Sequence, residues 1–244
     1  PASISLIKSF QMTYSNSNIN NDFDFYYYFN NVKELPKNFL NRDLVIIAAE
    51  SLERTFYKNK NLEQLNLTLL DRNDLIDFTN INQVKGYTDW TIAGLVAGNC
   101  GLPYVDLNFY SNYNCLSDLL AKRDYNLMSI QGSSLKYAGN GNFYNAHSIK
   151  EVKGLNAIKN YFREKNLEIS HWGIHDDIVF NYALNQIKNF ENKDKPYAVW
   201  INTVDNHPPN GLLSKNCKKI SDHISLNHLK VVYCNDVYLN HLIN

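Results

Sequence analysis

The chain reads as an α/β protein with a mainly parallel sheet covered by helices on both faces. Three observations predict it. Residues 44–49 form a short apolar run, rich in β-branched residues, that stops at Glu50. Such runs read as strands buried on both faces. Residues 196–204, PYAVWINTV, repeat the pattern and stop at Asp205. Between the two runs, stretches with helical spacing alternate with further short apolar runs, the order a parallel sheet requires.

The elements follow in order. Residues 1–40 are mixed: an Asn- and Ser-rich stretch at 15–22 reads as loop, and 23–29 is an aromatic run. The strand at 44–49 comes next, then a helix over 51–58, an irregular segment at 61–70 and a short extended piece at 77–81. Thr88 sits where an N-cap belongs. Asp89 stands in the first turn, small and apolar residues follow at helical spacing, and Gly98 and Gly101 supply the stop. Residues 115–122 read as a helix, 125–131 as a strand, and 149–165 as a helical surface segment with a turn at Gly154. A helix over 176–190 precedes the strand at 196–204. Residues 210–228 read as a polar loop and 231–242 as a last helix. No internal repeat is visible.

With 244 residues the chain can bury one large core. Its 24 basic and 24 acidic residues balance, which argues against nucleic acid as a partner. The apolar and aromatic content argues against disorder. No run of about 18 apolar residues marks a transmembrane helix, and no signal-peptide pattern is present. The chain opens at Pro1 without an initiator Met, as a piece cut from a longer protein would. Four cysteines form two sequence-local pairs, Cys100 with Cys115 and Cys217 with Cys234. That count, in Gly-, Asn-, Ser- and Lys-rich surroundings, fits two disulfides in an oxidising compartment. Four reduced structural cysteines are the alternative.

Three residues carry candidate chemistry. Glu50 ends a buried strand, where open α/β sheets place ligands, and a carboxylate there needs a metal, a cation or backbone donors. A plain helix cap is the other reading, and the residues leave both open. Thr88 faces the unpaired N–H groups and positive dipole of a helix start, which suits a phosphate. As a nucleophile it needs activation, which a metal on Glu50 could supply. Two oxygen ligands suit Mg, Mn or Zn. On spacing alone Thr88 is equally an N-cap. Thr91 is the weaker rival, since this reading sets it one turn inside the helix. His207 follows the second strand, so it would share a sheet edge with Glu50 and could bond a phosphate or a leaving hydroxyl. His175, Asp176 and Asp177 resemble ligands by type, but a helix start explains the acids better. The chain has no Gly-rich phosphate loop, no G-x-S-x-G elbow and no zinc-type cysteine cluster.

Glu50-Ser51-Leu52-Glu53-Arg54-Thr55, the stretch from Gly86 through Thr88, Trp90 and Thr91 to Gly94, and Cys100-Gly101 resemble bacterial phosphoglycerol transferases of the membrane-derived-oligosaccharide type. Gln131-Gly132, Trp172-Gly173 with Asp176-Asp177, and Thr203-Val204-Asp205 with His207-Pro208 follow in the same order, so the resemblance covers about residues 42–242. Lipoteichoic acid synthase is a more distant relative in the same alkaline phosphatase/sulfatase-like superfamily. The resemblance implies an inner-membrane protein with a periplasmic, extracytoplasmic catalytic domain. It implies transfer of phosphoglycerol from phosphatidylglycerol to a glycan or glycerophosphate acceptor, with release of diacylglycerol. In it Glu50 would be a metal ligand, and Thr88 both a ligand and the nucleophile that becomes phosphothreonine. His207, Gln131, Lys136 and Trp172 would bind substrate, and the cofactor would be divalent Mn, Mg or Zn.

Two departures shape the expectation. Relatives carry transmembrane helices before the domain, so residues 1–40 read as an arm or linker following an absent membrane region. Relatives also complete the metal site with an Asp-His pair after a further strand, whereas this chain stops at Asn244. Residues 41–244 therefore read as a C-terminally truncated catalytic domain, expected to be metal-free and inactive by itself. A phosphoethanolamine transferase on the same fold, or a non-catalytic envelope binding domain, are the rival readings.

Overall fold

The chain's computed structural model describes residues 33–39, 42–76, 78, 90–102, 104, 113–163, 167–191 and 194–243. Its frame is a four-stranded sheet: β1 (Leu44–Ala48), β2 (Asn126–Gln131), β3 (Glu151–Lys153) and β4 (Tyr197–Asn202). The spatial order is β1-β4-β2-β3 and every pairing is parallel. All six residues of β4 are buried, as are the last five of β2. Both faces of these central strands are therefore covered, which is why they read as unbroken apolar runs. The mainly parallel α/β fold is as expected.

Register fixes the site. Ala48 pairs with Asn202, and Gln131 pairs with Asn202 from the other side. The carboxyl ends of β1, β4 and β2 thus form one row, and the residues just beyond it converge on one edge.

Among the described residues the α-helices are α1 (Thr55–Lys58), α2 (Thr91–Cys100), α3 (Leu116–Ala121), α4 (Asn140–Ala146), α5 (Leu155–Phe162), α6 (Asp176–Glu191), α7 (Lys215–Ile220) and α8 (Asn227–Ile243). Val179, Phe180, Ala183 and Ile187 of α6 pack with Met128, Ile130, Val199 and Ile201 of the sheet and Leu239 of α8 in the main core. Cys100–Cys115 joins the end of α2 to the residue before α3, and Cys217–Cys234 joins α7 to α8. Both disulfides follow the sequence-local pairing.

Four expectations need correction. The helix expected over 51–58 shrinks to one turn, because Ser51 takes a positive φ of 49° and breaks the chain after the strand. The segment at 149–165 begins with β3 before α5. The loop at 210–228 contains α7, whose N-cap Ser214 accepts the Cys217 N–H. The irregular segment at 61–70 holds two 3-10 turns, Lys60–Leu65 and Leu69–Asp71. Residues 1–32, most of the extended piece at 77–81, and Thr88 lie outside the described residues.

Candidate active site

The site grows from the end of β1. The chain turns sharply at Ser51, leaving Glu50 half-buried at the sheet edge. The Glu50 N–H donates to Thr203 Oγ1 at 2.8 Å, tying the end of β1 to the end of β4. Its carboxylate accepts from two hydroxyls: Ser51 Oγ at 2.9 Å on Oε1 and Thr91 Oγ1 at 3.1 Å on Oε2.

Thr91 is the residue the sequence undervalued. α2 starts at Thr91, not one turn earlier, because Trp90 takes the extended N-cap conformation (φ −135°, ψ 162°). Thr91 is thus the first helical residue, and its hydroxyl sits beside the unpaired N–H groups of the first turn. The hydroxyl, the carboxylate and the positive helix end meet at one point. Thr88, the other threonine weighed for this role, lies outside the described residues. Trp90, at the N-cap, has no side-chain bond to the helix start, so the usual sequence signature of a cap is missing there.

Tyr137 completes this wall and was not foreseen. It lies on a tight turn whose following residues, Ala138 and Gly139, both have positive φ. Burial raises its hydroxyl above the usual range. A hydrogen bond with Thr91 opposes that shift, and the Glu50 charge adds to it. The phenol therefore stays protonated beside the carboxylate.

The opposite wall carries His207 and Trp172, whose rings stack at 4.0 Å with 23° between planes. His207 Nδ1 lies 3.0 Å from the Pro208 carbonyl oxygen. A carbonyl only accepts, so Nδ1 carries the proton and Nε2 is left for a ligand. Trp172 stands on a turn docked against the residue after β2. The Ile174 N–H donates to the Gly132 carbonyl at 3.0 Å, and a Cβ on Gly173 would run into that same carbonyl. Close backbone approach explains both the Gln131-Gly132 and the Trp172-Gly173 dipeptides.

Glu50, Thr91, Ser133, Tyr137, Asn140, Trp172, Asn202, Thr203, Val204 and His207 line one cleft. Three of the residues singled out by sequence, Glu50, Trp172 and His207, come together there. Gln131 is buried behind it, its Nε2 donating to Ser133 Oγ at 3.0 Å and to the Ser134 carbonyl at 3.1 Å. Lys136 is exposed on the turn leading to Tyr137 and does not line the cleft. His175, Asp176 and Asp205 form a buried network behind the His207 loop.

A divalent cation here would find oxygen donors, and Glu50 offers the carboxylate end of such a site. Among the described residues the one group of three or more metal-capable side chains is Cys100, Cys115 and His147, and both thiols are spent in a disulfide. The described cleft thus fits a cation at Glu50 without enclosing it.

Comparison with known proteins agrees with this fold. The chain is 31% identical over 204 residues to phosphoglycerol transferase I of Escherichia fergusonii and likewise to that of Escherichia coli, covering 79% of this chain. It spans about a quarter (26%) of the length of these relatives. Among solved structures, the lipoteichoic acid synthase LtaP from Listeria monocytogenes superposes with a TM-score of 0.63 at 15% identity, over 83% of this chain and 51% of that one. An alkaline phosphatase superfamily protein from Vibrio parahaemolyticus gives 0.61 at 19%, over 83% and 50%. The lipooligosaccharide phosphoethanolamine transferase A from Neisseria meningitidis, an integral membrane protein, gives 0.58 at 12%, over 87% and 40%. These likenesses show the shared fold. The sulfatase family model matches residues 42–236, which take in all four strands and every cleft residue, and the chain therefore belongs to the sulfatase family.

Proposed function

We propose that this chain is the catalytic part of a phosphoglycerol transferase. It would take phosphoglycerol from phosphatidylglycerol, release diacylglycerol, and pass the group to a glycan or glycerophosphate acceptor in the cell envelope. The observation that carries the reading is the Thr91 hydroxyl on Glu50 Oε2 at 3.1 Å at the start of α2. Relatives named phosphoglycerol transferase I support the head group, and two disulfides support an extracytoplasmic location. Membrane attachment, through segments of the longer protein, belongs to the same reading. No described helix is long and apolar enough to cross a membrane.

Transfer runs in two displacements. Thr91 Oγ1 attacks phosphorus in line, and its proton moves toward Glu50 Oε2, to which it is already bonded. The phosphorus–oxygen bond to diacylglycerol breaks, and the lipid leaves as the alcohol with the proton that Glu50 received; in the second displacement the acceptor's own proton returns through Glu50 to the Thr91 oxygen. The N–H groups opening α2 hold the phosphoryl oxygens. His207 Nε2, the acceptor nitrogen in this tautomer, takes a hydrogen bond from a glycerol hydroxyl of the headgroup. An acceptor hydroxyl then displaces Thr91 from the phosphothreonine. A divalent cation, Mn, Mg or Zn, would neutralise phosphoryl charge beside Glu50. Thr88, favoured by the sequence pattern, is the alternative nucleophile.

Mass spectrometry of the full-length protein after incubation with phosphatidylglycerol and Mn tests the reading. A phosphoglyceryl adduct on Thr91 is expected. An adduct on Thr88 would move the nucleophile, and no adduct on either would overturn transferase chemistry in favour of a non-catalytic binding domain. A phosphoethanolamine adduct formed from phosphatidylethanolamine instead would overturn the head group.

A further inference from the structure

The floor of the cleft holds two buried amides with one atom each left over. Asn202, the last residue of β4, accepts the Tyr144 hydroxyl on Oδ1 at 3.1 Å. That bond fixes the orientation of its amide and leaves Nδ2, a donor, without a partner. Asn140, the first residue of α4, points Nδ2 at Gln131 Oε1, at the 3.5 Å limit of a hydrogen bond. Gln131 is itself oriented by donating to Ser133 and Ser134. Asn140 Oδ1, an acceptor, is therefore left without a partner. Both residues are more than nine-tenths buried and both line the cleft. The amide of Asn206, also buried, lacks partners too, but it does not line the cleft.

The two amides belong to one connected group of side chains that lines the cleft. Asn140 and Tyr144 are four residues apart on α4 and share a face. Tyr144 touches Asn202, Asn140 touches Gln131, and Gln131 and Asn202 are register partners on adjacent strands. A buried polar atom without a partner costs stability, and a ligand group that satisfies both at once removes the cost.

We propose that Asn140 Oδ1 and Asn202 Nδ2 form a subsite that reads one hydroxyl of a polyol headgroup, the glycerol of a phosphoglycerol. The inference rests on the transferase reading above. A hydroxyl donates and accepts, so it satisfies both amides. The ammonium of ethanolamine only donates, and it would leave the Asn202 N–H facing another donor. A site built to bond a hydroxyl rejects analogues that lack it.

Titration calorimetry with four probes tests this: inorganic phosphate, sn-glycerol 1-phosphate, phosphoethanolamine and short-chain phosphatidylglycerol. Glycerol phosphate should bind about five-fold tighter than phosphoethanolamine. Asn140→Ala removes the acceptor that both headgroups donate to, so it should weaken glycerol phosphate and phosphoethanolamine alike and leave inorganic phosphate unchanged. Asn202→Asp keeps the acceptor for Tyr144 but turns the donor into a carboxylate, so the preference should reverse toward phosphoethanolamine. If phosphatidylglycerol obeys the same ratios, the lipid headgroup is the ligand; if glycerol phosphate alone does, the free phosphate ester is. Equal binding of glycerol phosphate and phosphoethanolamine by the unaltered chain would overturn the subsite, as would an unchanged preference in Asn202→Asp or undiminished binding of both in Asn140→Ala, which would assign the amides to an ordered water. No binding of any phosphate would overturn the transferase reading as well.

Discussion

Asp176 and Asp205 each accept the other's main-chain N–H. Asp176 Oδ2 takes the Asp205 N–H at 3.0 Å, and Asp205 Oδ2 takes the Asp176 N–H at 2.9 Å. Asp176 Oδ1 also takes the Val204 N–H at 2.8 Å, and Asp205 Oδ1 meets His175 Nδ1 at 2.8 Å. This clasp joins the start of α6 to the loop carrying His207, so the two walls of the Trp172–His207 stack are braced from behind. An amide cannot accept two N–H groups as a carboxylate does. Asp176→Asn should therefore cost about 3 kcal/mol of stability, read from urea unfolding. A cost under about 1 kcal/mol would show that the clasp is dispensable.

The clasp also sets a pH dependence. Burial lowers His175, but the hydrogen bond and charge of Asp205, with the charges of Glu168 and Asp177, outweigh it and the net shift is upward. A base raised by folding stabilises below its unfolded pKa, and that stability is lost as pH rises through the folded value. Burial and the charge of Asp205 push Asp176 well above the ordinary carboxylate range. An acid so raised also holds more protons folded than unfolded, so stability again falls as pH rises. Asp118 works the other way: burial raises it, but bonds from His147, Ser148 and the Cys115 N–H pull it below the usual range. Its contribution is present at neutral pH and lost in acid. The unfolding midpoint should therefore drop from about pH 6 to about pH 8, and fall again below about pH 4. His175→Gln should flatten the first drop, and a midpoint rising through that range would contradict the assignment.

On the proposed chemistry, Thr91→Ala in the full-length protein should abolish diacylglycerol release, a loss of at least about 1,000-fold, since no other group would replace a covalent nucleophile. Thr91→Ser keeps the hydroxyl and should retain measurable turnover. Thr88→Ala in parallel decides between the two threonines. Full activity in Thr91→Ala would remove it from the chemistry.

The paired strands were legible in the sequence because they are buried on both faces. Residues 44–49 and 196–204 look alike for that reason, and parallel pairing alone put Glu50 and His207 on one edge. β3 was not legible: Glu151, Val152 and Lys153 form a three-residue strand at one end of the described sheet order with no apolar run. The start of α2 was misplaced because Thr88 and Asp89 look like a cap, whereas Trp90, the actual N-cap, does not. Tyr137 and Asn140 were invisible within Lys136-Tyr137-Ala138-Gly139-Asn140-Gly141. Glycines there suggest a loop, and only the positive-φ turn aims these side chains into the cleft.

A lone carboxylate binds a divalent cation weakly. Titration of this chain with Mn should give a dissociation constant of about 10⁻⁴ M or weaker, and Glu50→Gln should remove what binding there is. A tightly held stoichiometric ion would mean that ligands outside the described residues complete the site.

Each disulfide closes a short loop, with sequence separations of 15 and 17. Replacing Cys100 and Cys115 together by Ser should cost about 3 kcal/mol, and the Cys217 and Cys234 pair about as much. Thermal unfolding of the two double variants checks this, and no change in either would show that neither loop closure matters.

The Glu50 N–H and the Thr203 hydroxyl that receives it lie 153 residues apart in the chain. A contact that distant forms only after the intervening helices and strands have found their places, since loop closure opposes it and parallel pairing is slow. The pairing of Thr91 with Glu50 depends on the same late event, because the turn after β1 is anchored through Thr203. A nascent or partly folded chain thus carries no activated hydroxyl. On the transferase reading, reactivity toward phospholipid would arrive with the finished topology, so time-resolved refolding should show helix content returning well before the cleft can hold a phosphate.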